Sequence, residues 1–403
     1  MLAELDDVGS PATVASAAGR YFGFVTGGAL PAALAANWLA GAWDQNAGAA
    51  VMSPVAAALE DVALRWLTDV LALPSGCAGG FVTGATMANF TALAAARHAL
   101  LRRAGWDVEA EGLFGAPPIA VVVGDEVHVS VLKALSLLGL GRDRVTRVPT
   151  DDEGRMRSDL LPALDDRTVL CVQAGNVNTG SFDPVGELCK AAHGARAWVH
   201  VDGAFGLWAA AAPARAPLVA GVAEADSWAF DAHKWLNVPY DSGVVICRDS
   251  SAMRAAMSAS AAYLVRSDGR DPDEYTPELS RRARGVEIWA ALASLGRSGL
   301  AELIERTCRY AARFAQGMRA AGYDVLNQVV LNQVLVSFGS DDATRRVVAA
   351  VQEEGTCWCG RTVWHGRAAM RISVSSWATT EDDVERSLAA IVRVAEQPAP
   401  ATA

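Results

Sequence analysis

Residues 228–243 read WAFDAHKWLNVPYDSG, setting His233 and Lys234 between an apolar run and a Pro-Tyr-Asp-Ser-Gly turn. A lysine at the end of an interior strand is chemically conspicuous, because burying an ammonium is costly unless it is paired or neutralised. Either Lys234 bends out to solvent, or its amine is not an ammonium in the working protein. Other strand ends carry groups that such an amine could work with. In FVTGATMAN, the small residues Gly84, Ala85 and Thr86 lie at a strand-to-helix junction, where free backbone N–H groups and the helix dipole attract an anion. A tight turn accounts for them equally well. GDEVHVSVLKAL puts His128 just past an apolar strand, where capping or a core role competes with function. VHVDGAFG ends a strand on Asp202, whose carboxylate needs a cationic partner in such apolar surroundings, or else caps a helix.

The elements that position these residues follow from the hydrophobic pattern. From about residue 79, short apolar runs (IAVVVGD, TVLCVQAG, AWVHVDG, SWAFDAHKW, GVVICRD) alternate with helical segments such as MANFTALAAARHALLRRAG and VGELCKAAHG. This alternation predicts an α/β fold, with a mostly parallel sheet covered on both faces and ligands beyond the carboxyl ends of its strands. The polar stretch from Val265 to Gly285 reads as a mobile surface loop running into the helix VEIWAALASLG. After it the pattern changes to antiparallel strands at DVLNQVVLNQVLVSFG and GRAAMRISVSS, and to a last helix capped by Thr379 or Thr380. The expected organisation is an N-terminal segment over 1–55, a large domain over 56–298 and a smaller α+β domain over 299–403. Only the tail EQPAPATA reads as disordered.

The chain has 403 residues, 52% hydrophobic and 20% charged, with a net charge of -10. An acidic balance with no basic stripe argues against nucleic acid as a partner. The acidic start MLAELDDVGS has no signal-peptide core, and the Ala-rich run from Ala29 to Ala42 is broken by Pro31, Asn37 and Gly41. Neither suits secretion or a membrane, so a cytoplasmic protein is expected. Seven scattered cysteines do not suggest a disulfide framework. The close pair in CWCG, Cys357 and Cys359, lacks two further ligands at zinc spacing, and no metal is expected.

The order of these features is more specific than any one of them. GGFVTGATMANFTALAAAR, DEVHVSVLKA, VQAGNVNTGSFDP, VHVDGAFG, DAHKWLNVPYDSG and MRISVSSWATTEDDV together resemble the group II amino-acid decarboxylases, which include the aromatic L-amino-acid, histidine and glutamate decarboxylases. These are fold-type I enzymes that use pyridoxal 5′-phosphate (PLP). The resemblance runs from about Tyr21 to Glu396. It implies a homodimeric carboxy-lyase with a seven-stranded, mostly parallel sheet, in which Lys234 is held as a Schiff base with the cofactor. It further implies that Asp202 pairs with the pyridine nitrogen, that His128 stacks on the ring near the substrate carboxylate, and that Ala204 packs on the opposite face. Gly84, Ala85, Thr86 and His233 would hold the phosphate. Tyr275, in the polar loop, would protonate the carbanion after CO₂ leaves, and Phe24, Val25 and Thr26 would line the side-chain pocket. With no cation among those three, a neutral or aromatic substrate is expected.

Some positions depart from the family pattern. Asp231 stands where many relatives carry Asn near the phosphate, and an anion there is unfavourable unless protonated or turned away. Asn176 replaces a common Thr near the carboxylate, and Gly84 replaces a frequent Ser. The rival readings are another PLP reaction, transamination or aldol-type cleavage, for which Arg371 could hold the α-carboxylate, and a catalytically inactive regulatory homologue.

Overall fold

The computed structural model describes residues 1–262 and 269–397. Strand β1 (Tyr21–Phe22) forms early but belongs to a sheet completed far downstream. Strands β2 (Ala78–Val82), β3 (Ala120–Gly124), β4 (Thr146–Val148), β5 (Thr168–Gln173), β6 (Trp198–Asp202), β7 (Ser227–Asp231) and β8 (Gly243–Cys247) make one sheet in the order β2-β8-β7-β6-β5-β3-β4. The run from β7 to β4 is parallel throughout, and β8 lies antiparallel between β2 and β7. This is the mostly parallel sheet that the alternation predicts, with the seven strands that the resemblance implies. Strands β5 to β8 are buried at every position, as a sheet covered on both faces requires.

The longer helices are α1 (Pro31–Trp43), α2 (Pro54–Val70), α3 (Ala85–Arg103), α4 (Val129–Leu137), α5 (Val185–Gly194), α6 (Ser250–Met257), α7 (Gly285–Ala320), α8 (Asp341–Glu354) and α9 (Glu381–Ala395). Helix α3 is rich in alanine, and Ala88, Ala92, Ala95 and Ala96 are fully buried. Small side chains let its backbone lie close to the sheet, where it packs with α4 and α6 into one core. The other face carries a core that includes Trp208, Trp228, Phe230 and Trp235.

Helix α7 outlasts the segment VEIWAALASLG expected of it. It breaks at Gly296 (φ 59°) and then continues to Ala320, because Leu300, Ile304, Cys308, Ala311 and Ala315 form one buried stripe at helical spacing. Beyond it, β9 (Asp324–Val325), β10 (Gln333–Ser337), β11 (Trp358–Trp364) and β12 (Arg367–Ser373) form the second sheet, in the order β1-β11-β12-β10-β9. Strand β1 joins β11 in parallel, with Tyr21 opposite Trp358 and their rings stacked at 4.8 Å. A Cβ at Gly23 would overlap the Trp358 ring, so no side chain fits there. Thr380 caps α9 through a reciprocal pair with Asp383.

The seven cysteines are free. Among the described residues, no group of His, Cys, Asp and Glu is placed to hold a metal, and no helix is long and apolar enough to cross a membrane. Most of the tail EQPAPATA and the start of the polar loop at Val265 lie outside the described residues.

Candidate active site

Lys234 follows the end of β7 by three residues, and its side chain is largely covered rather than turned out to solvent. Its Nζ lies 2.9 Å from Asp231 Oδ2, so the buried amine has an anionic partner. Lys234, Asp202, His128 and Ala204 line one narrow cleft, together with Gln173, Gly175, Val177 and Phe205. The carboxyl ends of β5 and β6 supply Gln173 and Asp202, which face each other in register, and the β3–α4 turn supplies His128.

Asp202 is buried, and its Oδ1 accepts the N–H of Ala204 at 3.2 Å. Its Oδ2 accepts from Asn89 Nδ2 at 3.4 Å and lies the same distance from Ser130 Oγ. His128 caps α4, with Nδ1 accepting the backbone N–H of Ser130 at 3.3 Å. A nitrogen that accepts carries no proton, so the Ser130 hydroxyl donates to the same Nδ1 at 2.7 Å, and Nε2 bears the imidazole N–H. Burial lowers the His128 pKa, against the opposing pull of Asp202, and keeps the ring neutral.

At the N-terminus of α3, Asp231 Oδ1 accepts the Ala85 N–H at 2.6 Å and lies 3.5 Å from His233 Nε2. Asp231 is therefore not turned away, which excludes one of the two ways its charge could have been accommodated. The ion pair with Lys234 and the free N–H of the helix make the inward position favourable. His233 accepts the Ser242 N–H on Nδ1 at 3.1 Å and packs against Tyr240 at 4.3 Å between ring centres. Burial lowers its pKa too. Glycine is required at Gly243, where a Cβ would overlap the Gly84 backbone, whereas a Cβ on Gly84 would only crowd His233 Cε1, at 3.2 Å.

Other residues singled out from the sequence lie elsewhere. Asn176 organises the loop after β5, its Oδ1 accepting from Asn178 N and Thr179 N, while Val177 beside it reaches the cleft. Tyr275 lies at the opposite end of β2, in a pocket lined also by Thr68, Cys77, Ala78 and Gly79, with the Arg270 guanidinium 4.7 Å from its ring. Phe24 is exposed, Val25 and Thr26 are buried, and none of the three lines the Lys234 cleft of its own chain. Gly27 is the residue of that segment that abuts Lys234, at its carbonyl oxygen. Arg371, on β12, donates to Val177 O at 3.0 Å, which brings a buried guanidinium to the cleft rim. Sequence reading passed over Asn89, Ser130 and Gln173. Only the strand-end position of Gln173 marked any of them.

The residues present fit PLP. The cleft between His128 and Ala204 suits a flat ring, Asp202 a ring nitrogen and Lys234 an aldehyde. Asp231 Oδ1 stands in for a phosphate oxygen at the Ala85 N–H, and the nearby Ser242 Oγ is buried without a partner among the described residues. Residues 14–339 match the model of the pyridoxal-dependent decarboxylase conserved domain. The aromatic-L-amino-acid decarboxylase of Bacillus atrophaeus is 26% identical, over 94% of this chain and 81% of that protein. The L-2,4-diaminobutyrate decarboxylase of Rhizobium meliloti is 29% identical, over 92% and 76%. The crystal structure of the Oryza sativa enzyme TDC with PLP and tryptamine superposes with a TM-score of 0.89 at 25% identity, covering 98% of this chain and 87% of that one. With its cleft, its lysine and this likeness over nearly the whole length, the chain belongs to the pyridoxal-dependent decarboxylase family, carboxy-lyases whose cofactor is pyridoxal 5′-phosphate.

Proposed function

We propose that this protein releases the α-carboxylate of an L-amino acid as CO₂ and yields the corresponding amine, with Lys234 as the amine that carries the cofactor. The observation behind this reading is the gathering of Lys234, Asp202 and His128 around one narrow cleft. When bound, PLP supplies a protonated ring that accepts the electron pair left by the breaking C–CO₂ bond. Asp202 holds the proton on the ring nitrogen, because a carboxylate at that point favours the charged form. His128 would stack on one face of the cofactor ring, and Ala204 would pack on the other, where only a small side chain fits. Gly84, Ala85, Thr86 and His233 hold the phosphate at the start of α3. Among the described residues, Lys234 and His128 are the groups in the cleft that can carry a proton to the substrate.

A neutral or aromatic side chain fits the surroundings best. Phe24 and Tyr240 are exposed large rings, and Tyr240 lies against His233. The similar proteins act on aromatic amino acids and on diaminobutyrate, so assaying CO₂ release over a panel of amino acids identifies the substrate. We further infer a homodimer working in the cytoplasm. Transamination is the second reading, favoured by the Arg371 guanidinium at the cleft rim, and it would give an oxo acid instead of CO₂ and amine.

Lys234→Ala is the direct test. It is expected to abolish turnover and the absorbance near ~420 nm that borohydride removes, while far-UV circular dichroism stays unchanged. Turnover near the wild-type rate in this variant would sink the assignment of Lys234.

A further inference from the structure

Behind Asp202 lies a chain of buried polar side chains that the reaction does not use. Trp198, His200 and Asp202 alternate along β6 and so share one face of the sheet, while Val199 and Val201 point to the other. Ser227 of β7 is the direct register partner of His200, and Asn89 comes from α3. Asn89, His200 and Ser227 are completely buried. Trp198 Nε1 lies 2.9 Å from Ser227 Oγ, which lies 3.0 Å from His200 Nδ1. His200 Nε2 is 2.9 Å from Asn89 Oδ1, and Asn89 Nδ2 reaches Asp202 Oδ2 at 3.4 Å and Ser130 Oγ at 3.1 Å.

The direction of every proton in this chain follows from its two ends. A carboxylate only accepts, so Asn89 must turn its NH₂ to Asp202 and its carbonyl to His200. A carbonyl also only accepts, so His200 carries its proton on Nε2. Burial pushes the His200 pKa down to about 3, which keeps the ring neutral and leaves Nδ1 bare. Nδ1 therefore takes the Ser227 O–H, and Ser227 Oγ in turn takes the Trp198 N–H. Every donor points toward Asp202. Hydrogen bonds aligned in this way polarise one another in a low-dielectric interior.

We propose that Asn89 and His200 are positioning residues for Asp202, the directed chain from Trp198 fixing the plane of the carboxylate and holding its charge toward the cleft. This rests on the reading of Asp202 as the partner of the cofactor ring nitrogen. The same side chains could instead be satisfied core residues, and the two roles are separable. A positioning role is felt only by a ligand that has a ring nitrogen.

The test titrates apoprotein with PLP and with 1-deazapyridoxal 5′-phosphate, in which a C–H replaces that nitrogen, and follows binding by tryptophan fluorescence. His200→Leu and Asn89→Leu are expected to weaken PLP binding by about tenfold and to leave the analogue within about twofold of wild type. His200→Gln, which keeps an N–H toward Asn89, is expected to restore most of the loss. If the leucine variants do not fold, Trp198→Phe removes one N–H from the far end and should cost about twofold for PLP only. Equal losses for both ligands, or none for either, would overturn the proposal. Asp202→Asn separates the two readings. If it keeps the wild-type preference for PLP over the analogue, the role of Asp202 fails and the positioning role falls with it. If Asp202→Asn loses that preference while His200→Leu keeps it, the positioning role fails alone.

Discussion

Asp231 supplies an anion at the point where the cofactor brings its own. Its Oδ1 takes the Ala85 N–H and its Oδ2 holds Lys234, so a phosphate at α3 must displace or share a carboxylate that is already paired. Two unit charges about 4 Å apart repel by about 4 kcal/mol at the effective dielectric of ~20 found near protein surfaces. Asp231→Asn keeps an acceptor for Ala85 and removes the like charge, so PLP should bind about tenfold tighter or better in a fluorescence titration of apoprotein. Weaker binding would show instead that the pairing with Lys234 outweighs the repulsion. At this scale the sequence was informative where a residue type was incongruous with its place: a lysine, an aspartate and a histidine at the ends of apolar strands. The inward turn of Asp231 could not be read, because it depends on which atoms face a helix end from another element. Asn89 was hidden for a similar reason, since one polar residue among several in the alanine-rich α3 gives no sign of facing inward until the helix is laid on β6.

Alternation of short apolar runs with helices conveyed the large sheet, its parallel run and the placing of ligand groups at one edge. It did not convey the continuation of α7 past Gly296, where Ser298 and Gly299 suggest a stop that the buried stripe from Leu300 to Ala315 overrides. Nor did it convey which part of the polar loop is anchored. Arg270 donates to Gly79 O at 2.6 Å and to Glu60 at 3.0 Å while covering the Tyr275 ring, which ties this part of the loop to the start of β2. The cleft lies beyond the other end of the sheet. Tyr275→Phe is therefore expected to keep amine formation within about twofold of wild type, since the cation–π contact survives and no core packing is lost. A loss of ~10²–10⁴-fold in Tyr275→Phe, measured by amine yield, would restore Tyr275 to the role of general acid.

The apolar surface of the molecule is uneven. On α1, Trp38 is 68% exposed and Leu39 51%, Trp43 follows one turn later, and Val51, Met52 and, on α2, Val55 and Trp66 are exposed as well. Single exposed hydrophobic residues are ordinary, but a run of this kind across two neighbouring elements marks a surface that water does not normally cover. A second copy of the chain, joined about a twofold axis, would let each patch cover its mate. Wild-type protein should therefore sediment at twice the chain mass of 42.2 kDa. Trp38→Glu combined with Leu39→Glu places two carboxylates in the middle of the patch, where like charges would meet across the axis. That variant should sediment at the single-chain mass with unchanged far-UV circular dichroism, and its CO₂ release should be largely lost. A wild-type monomer with full activity would refute the shared arrangement. A dimeric variant would move the contact to another face of the molecule.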